Sequence, residues 1–275
     1  MRALARIVAV ADPVRGTRLA VLRGESPLLP RRTGSPGPAG PDGEAQVHLV
    51  GGAAGPLGDD RLRIEIEVGA GARLCVQSVA ASLVLPGAGG GQSRLTVTAR
   101  VEPGGRLRWL PEPLIGAAGC DHLALSTVEL ADGAALLWRE ELVCGRHAEP
   151  VGDVRLGLTV RYAGRTLLRN DLAVGPRATG WSGGAVLGGG RAVGSVVVVD
   201  PAWTVTGPPG LPPQDFTGPA GHPAGAVHGP AGHPAGAVRG AAAALMPLAG
   251  GPAVLATATG TDLRAVRAYL DRVST

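Results

Sequence analysis

The chain has 275 residues, 45% of them hydrophobic but only 3% aromatic, with 17% charged residues and a formal net charge of +4. Its core must therefore be built from Val, Leu, Ile and Ala. The charged fraction is below the roughly 25% usual for soluble domains, so partners are expected to cover part of the surface. The basic residues are all arginines, scattered apart from Arg31-Arg32, which argues against a nucleic-acid partner. The three cysteines, Cys75, Cys120 and Cys144, are odd in number and lack CxxC spacing, which argues against a disulfide framework or zinc knuckle and suits a reducing, cytoplasmic setting.

In chain order, Met1 to Asp12 opens with Arg2 and Arg6 followed by Ile7-Val8-Ala9-Val10-Ala11. That apolar run is shorter than the roughly 7–15 residues of a signal-peptide core, so an opening strand is predicted. Nothing approaches the roughly 18 unbroken apolar residues of a membrane helix, and no membrane partner is expected. Residues 30–43 are rich in Pro and Gly and predict an irregular loop.

A strand–turn–strand unit then recurs. Val68-Gly69-Ala70-Gly71-Ala72-Arg73-Leu74 is followed by Val101-Glu102-Pro103-Gly104-Gly105-Arg106-Leu107 and by Leu130-Ala131-Asp132-Gly133-Ala134-Ala135-Leu136. A degraded fourth copy runs from Val160 to Leu167, and the turn glycines 71, 104, 133 and 164 are 33, 29 and 31 residues apart. Glycine tolerates the positive φ that a tight turn demands. Before each turn the pattern has period two: Leu62, Ile64, Ile66 and Val68 alternate with Arg61, Arg63, Glu65 and Glu67. Such alternation marks a half-buried strand. Because each unit needs its neighbour to cover its apolar face, the repeat predicts an all-β fold of stacked strand–turn–strand units, β-helix-like, with a layered sandwich as the other solution.

The β-stack is assigned to residues 1–206. Residues 207–240 form a Pro/Gly/His low-complexity insertion, in which Gly218 to His228 is repeated as Gly229 to Arg239. It has no periodic apolar face to offset its ordering entropy and is expected to be a flexible surface segment. His222, His228 and His233 lack nearby pre-positioned ligands, so a copied linker is favoured over a metal-concentrating tract. Residues 241–275 complete the same domain with a strand and a helix. Thr261 is the expected N-cap, with Leu263, Val266, Leu270 and Val273 as the apolar stripe and Arg264, Arg267 and Arg272 facing away.

No catalytic constellation stands out. GxSxG and HExxH are absent, no Lys follows the glycine-rich stretches at 87–91 and 188–190, and His48, His122 and His147 have no i+4 partner. An enzyme is therefore not expected. A carbohydrate-acting β-helix would need a paired-carboxylate cleft with aromatic platforms, and the chain has only two Tyr, one Phe and four Trp.

Four segments, in order, resemble the UreD (also called UreH) family of urease accessory proteins. Val47 to Leu62 is similar to the family's apolar strand and glycine-rich segment ending in Gly-Gly-Asp-x-Leu, with Asp60 at the Asp position and Asp59 where the second Gly is usual. Gln77 to Leu83 resembles its Thr-Thr-x-Ala-Ala-Thr-Lys run, with Ser82 keeping a hydroxyl and Leu83 replacing the Lys. Trp109-Leu110-Pro111-Glu112-Pro113-Leu114-Ile115 is similar to W-L-P-x-x-x-I, and Trp138 to Arg146 places Glu140 and Arg146 at the family's Glu and Arg. The resemblance implies a β-helix-like scaffold that assists nickel insertion into the urease apoenzyme, in complex with UreF and UreG. It also implies no stably bound cofactor, with nickel only in transit. Asp60, Ser82, Glu112 and Glu140, expected at strand or turn edges, are the candidate oxygen ligands of a transient nickel path; such ligands bind first-row dications weakly enough to release them. The alternative reading is a generic β-solenoid protein-interaction module unrelated to nickel, with those four residues as turn-forming or edge-solvating groups.

Overall fold

The computed structural model describes residues 1–34, 43–203 and 241–274, together with the backbone of Val227–His228. In chain order the strands begin with β1 (Arg2–Asp12), β2 (Gly16–Gly24), β3 (Leu28–Thr33), β4 (Ala45–Gly51), β5 (Arg61–Val68) and β6 (Arg73–Ser78). Then come β7 (Ser82–Val84), β8 (Ser93–Val101), β9 (Arg106–Leu110), β10 (Leu114–Gly116), β11 (Asp121–Leu130) and β12 (Ala135–Cys144). The last are β13 (Asp153–Tyr162), β14 (Arg165–Val174), β15 (Ala192–Val199), β16 (Val227–His228), β17 (Ala241–Pro247) and β18 (Ala253–Gly260), followed by helix α1 (Leu263–Ser274).

These strands form two sheets. The first has the order β14-β13-β11-β8-β5-β1-β2; the second runs β16-β17-β18-β15-β12-β9-β6-β4-β3, with β7 and β10 attached beside the end of β12. Strands β1, β5, β8, β11 and β13 are mutually parallel, as are β4, β6, β9 and β12. The chain thus coils between two faces as a β-solenoid of about four turns, as the repeat predicts. Each expected inward residue is in place: β5 alternates exposed and buried along its length, and its neighbours continue it in ladders such as Ile66–Ala99–Val128–Val160. These aliphatic ladders form the main inter-sheet core, with Ile7, Leu74, Leu107 and Leu136. Two of the scarce aromatics stand there: Trp109 and Trp138 lie in register on β9 and β12 and stack at 5.1 Å between ring centroids.

The first three turns behave alike. Gly71, Gly104 and Gly133 have φ of 68°, 68° and 74°, and neighbouring turns hydrogen-bond to one another, Gly71 N–H donating to Pro103 O and Gly104 N–H to Gly133 O. The fourth copy differs. Only Ala163 and Gly164 separate β13 from β14, both with positive φ (47° and 77°), and β14 returns antiparallel in the same sheet. Two successive positive-φ residues match the right-handed twist of a hairpin, whereas the longer turns carry the chain across to the other sheet.

Two other expectations change, and one falls largely outside the described residues. The predicted loop at 30–43 begins inside β3, which pairs antiparallel with β4; residues 35–42 lie outside the described residues. The duplicated segment also lies outside them, except that Val227–His228 pairs with Ala242–Ala243 of β17. The N-cap of α1 is Asp262 rather than Thr261, its Oδ1 accepting from the N–H of Ala265 at 2.9 Å. Helix α1 covers the outer face of the second sheet, burying Val266 and Leu270 against Leu137, Val196 and Ala256. The close approach depends on Gly194, where a Cβ would lie 2.6 Å from Leu270 Cδ1. The three cysteines are free and buried.

Candidate functional site

The gap between the sheets is not filled throughout. The ladder Leu62–Leu95–Ala124–Leu156 narrows at Ala124, and the ladder Ile64–Val97–Ser126–Leu158 carries a hydroxyl where its neighbours are aliphatic. A mostly apolar cavity of about 360 Å³ lies here, reaching the surface at the exposed residues Ala53, Ala54, Ala80, Ala81 and Ser82. A second cavity of about 180 Å³ lies beyond it, lined by Asn170, Ser195, Thr257 and Thr259 and reaching the exposed residues Asp171 and Val186. Glu140 of β12 and Leu156 of β13 line both cavities. Together they form the partition between the two.

Glu140 sits in the middle of β12, not at a strand edge as expected. Its Oε1 accepts hydrogen bonds from Ser126 Oγ at 2.9 Å and Trp138 Nε1 at 3.1 Å. Burial pushes its carboxyl above the ordinary value, and those two donors offset only part of the shift. Among the described residues no basic side chain pairs with it. Ser82 stands at the mouth of the larger cavity as the first residue of β7. Glu112 lies on the same cavity in the link between β9 and β10, its N–H donating to Ser78 Oγ at 2.9 Å.

Asp60 is elsewhere. Only 3% exposed and outside both cavity linings, it accepts from the amino group of Met1 at 2.7 Å and from the N–H of Leu57 at 2.9 Å. It therefore fastens the start of β5 to β1. The structure brings together Ser82, Glu112 and Glu140 and leaves Asp60 aside.

Two features escape the sequence reading. Arg267, expected to face solvent, turns inward: its guanidinium holds Glu141 through contacts of 2.6–3.1 Å and Glu112 at 3.1 Å. Arg139 adds a 3.0 Å contact to the buried Glu141 and also reaches Asp271 of α1. Ser126 was missed as well; its signal is a hydroxyl at an inward position of an alternating strand.

His122 is a further buried polar group. Its Nδ1 meets Ser93 Oγ at 2.8 Å while Nε2 finds no partner, and burial pulls its pKa from 6.5 to about 4 despite the opposing charge of Asp121. The folded state thus holds this imidazole neutral while the unfolded chain takes up a proton. Stability is full above pH 6.5 and falls as pH drops toward 4, by about 3 kcal/mol in total. Urea unfolding at pH 7 and pH 4.5 is expected to show this loss in the native protein and a reduced loss in His122→Asn. Equal losses in both would assign the acid sensitivity to other groups.

These observations define an all-β scaffold with a two-chambered interior, partitioned by one carboxylate without a cationic partner. The comparisons give that class its family. The chain matches the family described as "UreD urease accessory protein" over residues 2–275, and it belongs to that family. It is 49% identical over 202 residues to the urease accessory protein UreD of Streptomyces avermitilis, covering 73% of this chain and 78% of the relative. It is 43% identical over 274 residues to UreD 3 of Streptomyces griseus (98% and 95% covered) and 42% identical over 272 residues to UreD of Streptomyces coelicolor (98% and 94% covered).

Proposed function

We propose that this chain is a non-catalytic scaffold of cytoplasmic urease maturation that works with UreF and UreG on the urease apoenzyme and offers nickel an internal route. The single observation that supports the route is the meeting of two surface-reaching cavities at Glu140. A dication crossing a mostly apolar interior needs compensating charge at its narrowest point, because an unpaired charge there is costly. Glu140 supplies that charge, and Ser126 orients it. Oxygen ligands, softer in grip than thiolate or imidazole for this metal, allow release on the far side. Ser82 and Glu112 line the approach.

The test is reconstitution. Urease apoenzyme, UreF, UreG, nickel and GTP are combined with and without this chain, and urease activity and bound nickel are measured together with recovery of UreF on the tagged chain. Activation and UreF recovery that both depend on the chain are expected. Full nickel loading in its absence would overturn the proposal.

A further inference from the structure

We infer that the route continues past Glu140 along a row of hydroxyls, Ser195 and Thr257, through the smaller cavity to the surface beside Asp171. This rests on the reading of Glu140 as the carboxylate of a cation route. The strand register carries the inference. Glu140 of β12 lies directly opposite Ser195 of β15, and Ser195 lies directly opposite Thr257 of β18. Neighbouring strands are about 4.8 Å apart, so the row steps across the sheet in increments that one ion can span while keeping one oxygen until it reaches the next. The rows to either side lack this continuity: Trp138–Val197–Leu255 carries no side-chain oxygen, and Leu142–Val193–Thr259 has a hydroxyl only at its last member.

The cavity walls agree with the register. Ser195, Thr257 and Thr259 all line the smaller cavity, with Asn170 facing them from the first sheet. These are neutral donors. An ion leaving the charge of Glu140 is therefore passed to weaker ligands, which favours onward movement over trapping. Leu156, the other residue common to both cavities, supplies the apolar side of the partition. It leaves Glu140 as the one oxygen-bearing side chain shared by the two chambers.

The test uses the full chain in the reconstituted activation assay at limiting nickel. Ser195→Ala with Thr257→Val removes both hydroxyls with little change in volume. The expected result is a fall of about tenfold in the initial rate of activation, the rate equivalent of losing a charge-assisted oxygen contact. Thr257→Ser, which keeps the oxygen, is expected to activate at the native rate. Melting temperature and UreF recovery are expected to stay native in both variants. Ser195→Leu, which fills the smaller cavity, is expected to abolish activation; if it fails to fold, the hydroxyl variants decide alone. If Glu140→Gln impairs activation but the double variant does not, the onward row is wrong and the reading of Glu140 survives. If neither impairs activation, the route itself is wrong.

Discussion

Glu140→Gln is expected to lower urease activation at limiting nickel by about tenfold to a hundredfold while leaving the protein at least as stable as before. The two effects have opposite signs for one reason. Glutamine keeps the side-chain shape, and its amide oxygen can still accept from Ser126 Oγ and Trp138 Nε1. What it loses is the charge. Burial raises the carboxyl's pKa above the ordinary 4.5, so ionising it costs more in the folded protein than in the unfolded chain. Its contribution to stability is fully present below that ordinary value and is lost as pH rises through the raised one. Near neutral pH the carboxylate is therefore a cost to the fold, and the amide removes it. Melting curves at pH 5 and pH 8, run beside the activation assay, check both halves. A variant that activates normally would end the assignment, and one that loses stability together with activation would make Glu140 a structural residue.

Arg267→Met is expected to destabilise the protein by about 2–3 kcal/mol. Removing one partner of a buried ion pair strands the other, usually at about 3–5 kcal/mol. Here Arg139 stays in contact with Glu141 and softens the loss. Glu112, more exposed, contributes little. If the stranded charge is the cause, Glu141→Gln in the same chain should restore at least half of the lost stability. Denaturant unfolding of the two variants decides it. No recovery in the double variant would trace the loss to helix packing on Gly194 instead.

Much of the fold could be read from the sequence because it rests on short-range regularities. Alternation in β5, β8 and β13 and the recurrent turn glycines are local, and local pattern fixes which face of a strand is buried. The fourth repeat was legible in kind but not in direction; that turned on two missing turn residues between Tyr162 and Arg165. The site was legible only in part. Glu140 and Ser126 come from different sheets, and Arg267 meets Glu141 from 126 positions away. Such pairings depend on how strands register with one another, and no spacing along the chain encodes that. Asp60 shows the converse: its sequence context marked it, yet the fold spends it on the Met1 amino group. The helix stripe was visible from periodicity, but the inward turn of Arg267 was not, since a long side chain can leave its own helical face.

A stack of parallel coils has no intrinsic length, because every coil offers the next an identical docking edge. Here the series is closed at both ends of the first sheet by strands running the other way, β2 beside β1 and β14 beside β13. The outer margin of β14 carries the exposed side chains Arg165, Arg169 and Asp171. Charge on an outermost strand discourages another chain from adding to it. The reversed hairpin after the third turn thus acts as a stop codon written in geometry: it ends the polymer-like growth of the coil and keeps an extendable architecture a discrete particle.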